Sequence, residues 1–204
     1  TLYYPQNRCR LVLLRKLLHI STIIIPVWLK YIEGTYHTKT PGMIVLISLT
    51  ILAFVIEILR NLNPAFGKFF TKKLDKLLKD DEKRGKPTGA SFLILSMTLT
   101  YLLFDFHIFY YASIIAILVD GITPVINSLV FKKSSKDHSH LIIFIISAVI
   151  VAFVINSGLP LQIKLASSII ISIIEYINPP PDDNIYAELI GAFIIFTLLE
   201  IFVH

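Results

Sequence analysis

The sequence predicts an all-α integral membrane protein with about seven transmembrane helices, a cytosolic N-terminus and a basic amphipathic helix at the membrane surface. Three observations carry that prediction. Of 204 residues, 55% are hydrophobic and only 16% charged, where soluble domains carry about a quarter. Mean hydropathy is +0.73, and several apolar runs approach the roughly 20 residues that a helix needs to cross a bilayer core. The basic residues, finally, are distributed on one side of those runs. The chain reads as a single membrane-embedded domain over 1–204.

The first span, about 14–32, lacks a small-residue cleavage site and carries His19, Trp28 and Lys30. It is therefore read as a mature segment, not a signal peptide. The second, about 43–60, is one continuous apolar run ending in Glu57 and Arg60. The third, about 88–104, is short and opens on small residues, "TGAS". The fourth, about 108–130, is the least regular, because "LVDGITPVINS" sets Asp120, Gly121 and Pro124 inside it. Gly121 and Pro124 permit a broken helix there. Three more runs follow, at about 141–157, 161–177 and 186–203.

With the N-terminus inside, 16 of the 19 Lys and Arg fall on the inner side, leaving Lys30, Lys39 and Lys164 outside. That asymmetry sets the orientation. It also accounts for the net charge of +5 without a nucleic-acid partner. The lone Cys9 excludes an intrachain disulfide.

Between the second and third spans, residues 64–81 put Phe66, Phe70, Leu74, Leu77 and Leu78 on one helical face. Lys68, Lys72, Lys73, Lys76 and Lys79 cover the rest. This pattern predicts a helix lying in the inner interface, with charge for an anionic headgroup or a nucleotide.

Five polar clusters fall on that same inner side. Arg15, Lys16 and His19 share about one turn, as headgroup anchors or as part of a site. Glu57 and Arg60 stand at i,i+3 and can neutralise each other. "DEKRGKPTGAS" brings Lys83, Arg84 and Lys86 ahead of Gly89 and Ser91 at a helix N-terminus, where backbone N–H groups favour phosphate. Lys133 lies in "FKKSSKDHSH". Asp120, a carboxylate in an apolar span, is a functional candidate by default, the alternative being a structural ion pair.

The last cluster, "EYINPPPDDN", holds Glu175, Asp182, Asp183 and Asn184. A single helix cap needs one Asp or Asn. The surplus oxygen donors suit Mg²⁺, which commonly takes one or two carboxylates with waters and substrate phosphates. Carboxylates for a metal beside scattered cations are the components of phosphoryl transfer. No G-x-x-x-x-G-K-[ST] loop, G-x-S-x-G elbow or Cys/His zinc spacing is present.

In order and spacing, "RKLLH", "EILR", "EKRGKPTGASFLIL", "LVDG" and "EYINPPPDDN" resemble the membrane CTP-dependent lipid kinases: dolichol, phytol and yeast-type diacylglycerol kinases. The likeness runs from residue 15 to about 190. It departs from the family at Asn127 and Ser128, where a glycine is usual, and at "KKSSKDHSH".

The resemblance implies transfer of the CTP γ-phosphate to a lipid alcohol with Mg²⁺ at the cytosolic membrane face. Asp120, Asp183 and Glu57 would be catalytic. Asp120, Glu175, Asp182, Asp183 and Asn184 would hold the metal. Arg15, Lys16, His19, Arg60, Lys83, Arg84, Lys86, Gly89, Ser91 and Lys133 would bind nucleotide phosphates. Two other functions fit parts of the pattern: a cytidylyltransferase making a CDP-lipid, and a small ion-coupled transporter relaying through Asp120, Glu175 and Glu188.

Overall fold

The structure is a computed structural model that describes residues 5–130, 138–177, 179–180 and 182–202; the side chains at 5–12, 124, 127–130, 138–140 and 183 are outside that description. Ten helices and no strand occur among the described residues. They are α1 (Pro5–Ser21), α2 (Ile24–Tyr36), α3 (Thr40–Leu62), α4 (Pro64–Leu74), α5 (Asp80–Lys83), α6 (Gly89–Leu103), α7 (Phe106–Val130), α8 (His138–Val154), α9 (Leu161–Ile177) and α10 (Asp183–Phe202).

Four described segments are long and apolar enough to cross a membrane: Leu13–Tyr36, Thr40–Leu62, Phe106–Thr123 and Asn184–Phe202. Gly89–Leu103 and Leu141–Val154 are shorter apolar helices. The outer surface is apolar, with Ile24, Leu62 and Val154 each more than two-thirds exposed. Water does not tolerate so continuous an apolar belt on a soluble chain, and a lipid environment explains it.

α7 is the central post. In its apolar stretch 72% of the residues are buried, against 17–28% in the other three. It packs against α1, α2, α6, α8, α9 and α10. One apolar core lies between α7, α8, α9 and α10, around Tyr111, Ile115, Val119, Ile171 and Ile195. A second lies between α2, α3, α6 and α7, around Leu29, Leu46, Met97, Tyr101 and Phe109. There the Tyr101 and Phe109 rings meet edge to face at 4.9 Å.

The helices depart from expectation in three places. The first apolar run is divided at Thr22–Ile23, where the Thr22 and Ile23 N–H groups bond three residues back to His19 and Ile20. Ser21 and Thr22 hydroxyls occupy the Leu18 and His19 carbonyls, and Pro26 has no N–H to give Thr22. Together these interrupt the helical ladder.

The fourth span, where the sequence permits a break, is instead one helix through Asp120, Gly121 and Pro124. A proline removes a single i→i−4 bond, here the one to the Asp120 carbonyl, and packed neighbours support the rest.

The amphipathic helix, expected over 64–81, ends at Leu74. Asn63 caps its start by accepting from the Ala65 and Phe66 N–H groups. After Leu74 a turn tucks Leu78 into the interior, and the short α5 follows.

Candidate functional site

The first element of the site is the crossing of α1 and α7. Gly121 has no side chain where Ile20 of α1 lies directly on it, and a Cβ there would overlap the isoleucine. One turn earlier on α1, Lys16 donates to Asp120 Oδ1. His19 Nε2 stands 3.4 Å from Asp120 Oδ2. The carboxylate is 8% exposed, so its two partners offset a desolvation cost that would otherwise exclude the charge.

The second element is the start of α10. Asp182 accepts from the Asn184 backbone N–H at 3.2 Å and from Asn184 Nδ2 at 2.5 Å, a cap of the expected kind. Its other oxygen lies 3.4 Å from Lys79 Nζ. Asn184 Nδ2 also reaches the Gly89 carbonyl at 3.5 Å.

The third element joins α5 to α6. Glu82 accepts from the Lys79 N–H at 2.6 Å and from the Gly89 N–H at 2.8 Å. Glu57 accepts from the Thr88 N–H and the Ser91 hydroxyl, both at 2.8 Å, and pairs with Arg60 at 2.7 Å. The N-terminus of α6 is thus already met by two internal carboxylates, which complement its partial positive charge as an outside anion would. Outside the membrane spans, Asp81 is held below the usual carboxylate range. Burial, the largest single influence, raises it, and its own and Glu82's backbone N–H groups together with Lys86 outweigh that cost.

These elements enclose a cavity of about 310 Å³. Arg15, Lys16, His19, Asp120, Lys79, Glu82, Gly89 and Asn184 form its polar side. Leu18, Phe70, Leu74, Leu77, Leu78 and Leu93 form an apolar wall. A Cβ on Gly89 would lie 3.4 Å from Asn184 Nδ2, 3.6 Å from Asp182 Oδ2 and 3.7 Å from Glu82 Oε1. The space between those three polar groups is a cradle that one methyl group would fill.

Of the residues expected in a site, Arg15, Lys16, His19, Asp120, Gly89, Asp182 and Asn184 come together. Glu57, Arg60 and Ser91 form a buried support beneath the α6 N-terminus. Lys83 and Arg84 face a separate groove, and Lys86 is exposed beside Asp81 at 3.5 Å. Glu175 is buried near the end of α9, away from the described cavity lining. Lys133 and the Asp183 side chain lie outside the described residues.

Lys79, one of five lysines read as charge for a headgroup or nucleotide, and Glu82, not singled out in the sequence, both belong to the site. Their signal is the i,i+3 spacing ahead of Gly85 and Gly89, a capping arrangement. Glu188, fully buried one turn deeper than Asn184, accepts from the hydroxyls of Ser96, at 2.7 Å, and Ser113.

Among the described residues no three His, Cys, Asp or Glu side chains converge as a metal cage. Two carboxylate oxygens, from Asp182 and Glu82, face the Asn184 amide nitrogen across the Gly89 cradle; the carboxylates are of the type that suits Mg²⁺.

No family model matches the chain, and no solved structure matches it. It is similar to an uncharacterized protein from Rickettsia prowazekii (strain Madrid E), with 24% identity over 127 residues, 61% of this chain and 60% of that protein.

Proposed function

We propose that the protein is a lipid kinase that moves the γ-phosphate of CTP to the hydroxyl of a polyprenol-type alcohol. The observation that carries this reading is the two-sided cavity. A carboxylate flanked by Lys16 and His19 faces a polar cradle at Gly89, while leucines and Phe70 line the opposite wall. A polar side suited to phosphate and an apolar side suited to a lipid chain thus share one half-open cavity. The order of sequence clusters that resembles CTP-dependent lipid kinases supports the choice of donor.

In this reading the lipid chain lies along the wall of Leu74, Leu77, Leu78 and Leu93, and its hydroxyl donates to Asp120. Arg15, Lys16 and Lys79 offset the triphosphate charge, since catalysis of this class is chiefly positioning and charge neutralisation. The alcohol oxygen forms a bond to the γ-phosphorus as the bond from that phosphorus to the β-bridging oxygen breaks. CDP leaves with the electron pair, and the hydroxyl proton passes to Asp120 beside His19. Mg²⁺ bound with the nucleotide would neutralise phosphate charge, with Asp120, Asp182 and Asn184 as its protein oxygens. Asp183 stays in the proposed set as its neighbour.

The proposed topology has seven spans, with the N-terminus and the cavity on the cytosolic side. The distribution of Lys and Arg supports it.

The test is transfer of label from γ-labelled CTP or ATP, by protein in bilayers, to dolichol, geranylgeraniol, phytol and diacylglycerol. Labelled lipid phosphate with release of CDP is the expected result. Pyrophosphate release with a CDP-lipid product would make the protein a cytidylyltransferase. Solute uptake into vesicles with no labelled lipid would make it a transporter.

A further inference from the structure

On the other side of the 79–88 segment lies a second recess, an open groove of about 800 Å³ between α4 and the turn at 83–85. Five basic residues and one carboxylate, Asp75, line it. Asp75 is taken by Lys83 at 2.6 Å, and the Asn61 side-chain amide donates to the Gly85 carbonyl at 3.1 Å. The walls are therefore fixed to each other and to the end of α3. Among the described residues Lys68 and Lys72, one turn apart on α4, have no carboxylate partner.

Arg60 forms part of the lining, with its side chain only 4% exposed. Nη2 serves both Glu57, at 2.7 Å, and the Lys86 carbonyl, at 2.5 Å. Nε and Nη1 have no hydrogen-bond partner among the described residues. The guanidinium carbon stands 5.3 Å from the centre of the Phe70 ring. A buried guanidinium that leaves two nitrogens unsatisfied is costly, and Arg60 lends its positive charge to the groove from beneath. Guanidinium and ammonium donors converging on one recess suit phosphate oxygens.

Location selects the source of that phosphate. The groove opens at the last turn of α3, one of the segments long enough to span a membrane. The end of a span lies at headgroup depth. Next to it, Leu62 is 77% and Phe69 58% exposed, apolar surface suited to the acyl boundary.

We propose that this groove binds the phosphate of an anionic phospholipid headgroup, with Arg60 beneath and Lys68, Lys72 and Arg84 at the rim. The site requires nothing of the carboxylate cavity and stands whatever reaction occurs there.

The experiment uses the full chain in nanodiscs of phosphatidylcholine mixed with phosphatidylglycerol. Native mass spectrometry counts the retained phosphatidylglycerol. Titration of a short-chain phosphatidylglycerol in neutral detergent gives its dissociation constant. The double variant Lys68→Gln/Lys72→Gln should bind about thirtyfold more weakly, and Arg84→Gln should also weaken binding. Lys73→Gln removes one positive charge from the same helix next to Phe69, outside the groove, and should leave binding unchanged where Lys72→Gln alone weakens it about fivefold. An equal loss with Lys73→Gln would reduce the effect to diffuse attraction and overturn the proposal. So would retention with no preference for phosphatidylglycerol over phosphatidylcholine. Displacement of the lipid by CTP or pyrophosphate at comparable concentration would reassign the groove to a soluble phosphate.

Discussion

The two ends of α6 use lysine in opposite ways. At the Leu103 end, Lys39 donates to the Phe104 carbonyl at 2.7 Å. Lys30 and Lys164 donate to the Asn156 and Ile155 carbonyls just past α8. Each of these three lysines meets backbone at a helix C-terminus, where a cation complements the partial negative charge. At the Gly89 end, about 22 Å away by helical rise, Lys16 meets Asp120 and Lys79 meets Asp182.

A lysine that caps a helix completes a structural unit and leaves little chemistry available. A lysine paired with a buried carboxylate at the edge of a cavity holds a charge that an incoming phosphate can compete for. Function is therefore expected at the Gly89 end and stability alone at the other.

The sharpest way to break this contrast is Asp120→Asn. Loss of the group proposed to receive the hydroxyl proton should lower turnover by about 10³-fold, with helix content in circular dichroism preserved. Near-normal turnover in a folded variant would remove Asp120 from the proposed chemistry. Arg60→Gln comes next, acting on stability. It leaves Glu57 buried without its cation and should cost about 3 kcal/mol, read as a lower thermal midpoint in detergent.

Gly89→Ala is a finer probe. The contacts of the added methyl group are ordinary van der Waals distances, so the thermal midpoint should hold while turnover falls about tenfold as the cradle fills. The smallest effect is expected at the far end. Lys39→Met should cost about 1 kcal/mol of stability and leave turnover unchanged. A large loss of turnover there would undo the division between the two ends.

Much of the helical layout was legible in the sequence because apolar runs and their polar interruptions follow from composition. Asp120 was legible for the same reason, as a charge in an apolar run. The division at Thr22–Ile23 was not, because it depends on Ser21 and Thr22 hydroxyls turning back onto the helix just ahead of Pro26. A continuous α7 was equally hidden: Gly121 suggested flexibility, yet its role is to let Ile20 sit against it. The separation of Lys83 and Arg84 from the carboxylates depends on which way a short turn faces, and no periodicity encodes that. Glu82 was visible as a residue but not as a ligand, since its partners are backbone N–H groups.

The contact between Ile20 and Gly121 also offers a way to sort distant relatives. Lys16 and His19 reach Asp120 because the Ile20 side chain rests on α7 where Gly121 has no side chain of its own. A related chain with alanine or anything larger there, and a side chain as large as isoleucine still at position 20, would have its first helix pushed outward, carrying both cations with it. Whatever else such a chain retains, its carboxylate would need a different counter-charge. The pair of alignment columns at 20 and 121 would then separate relatives that share this site from those that share only its membrane scaffold.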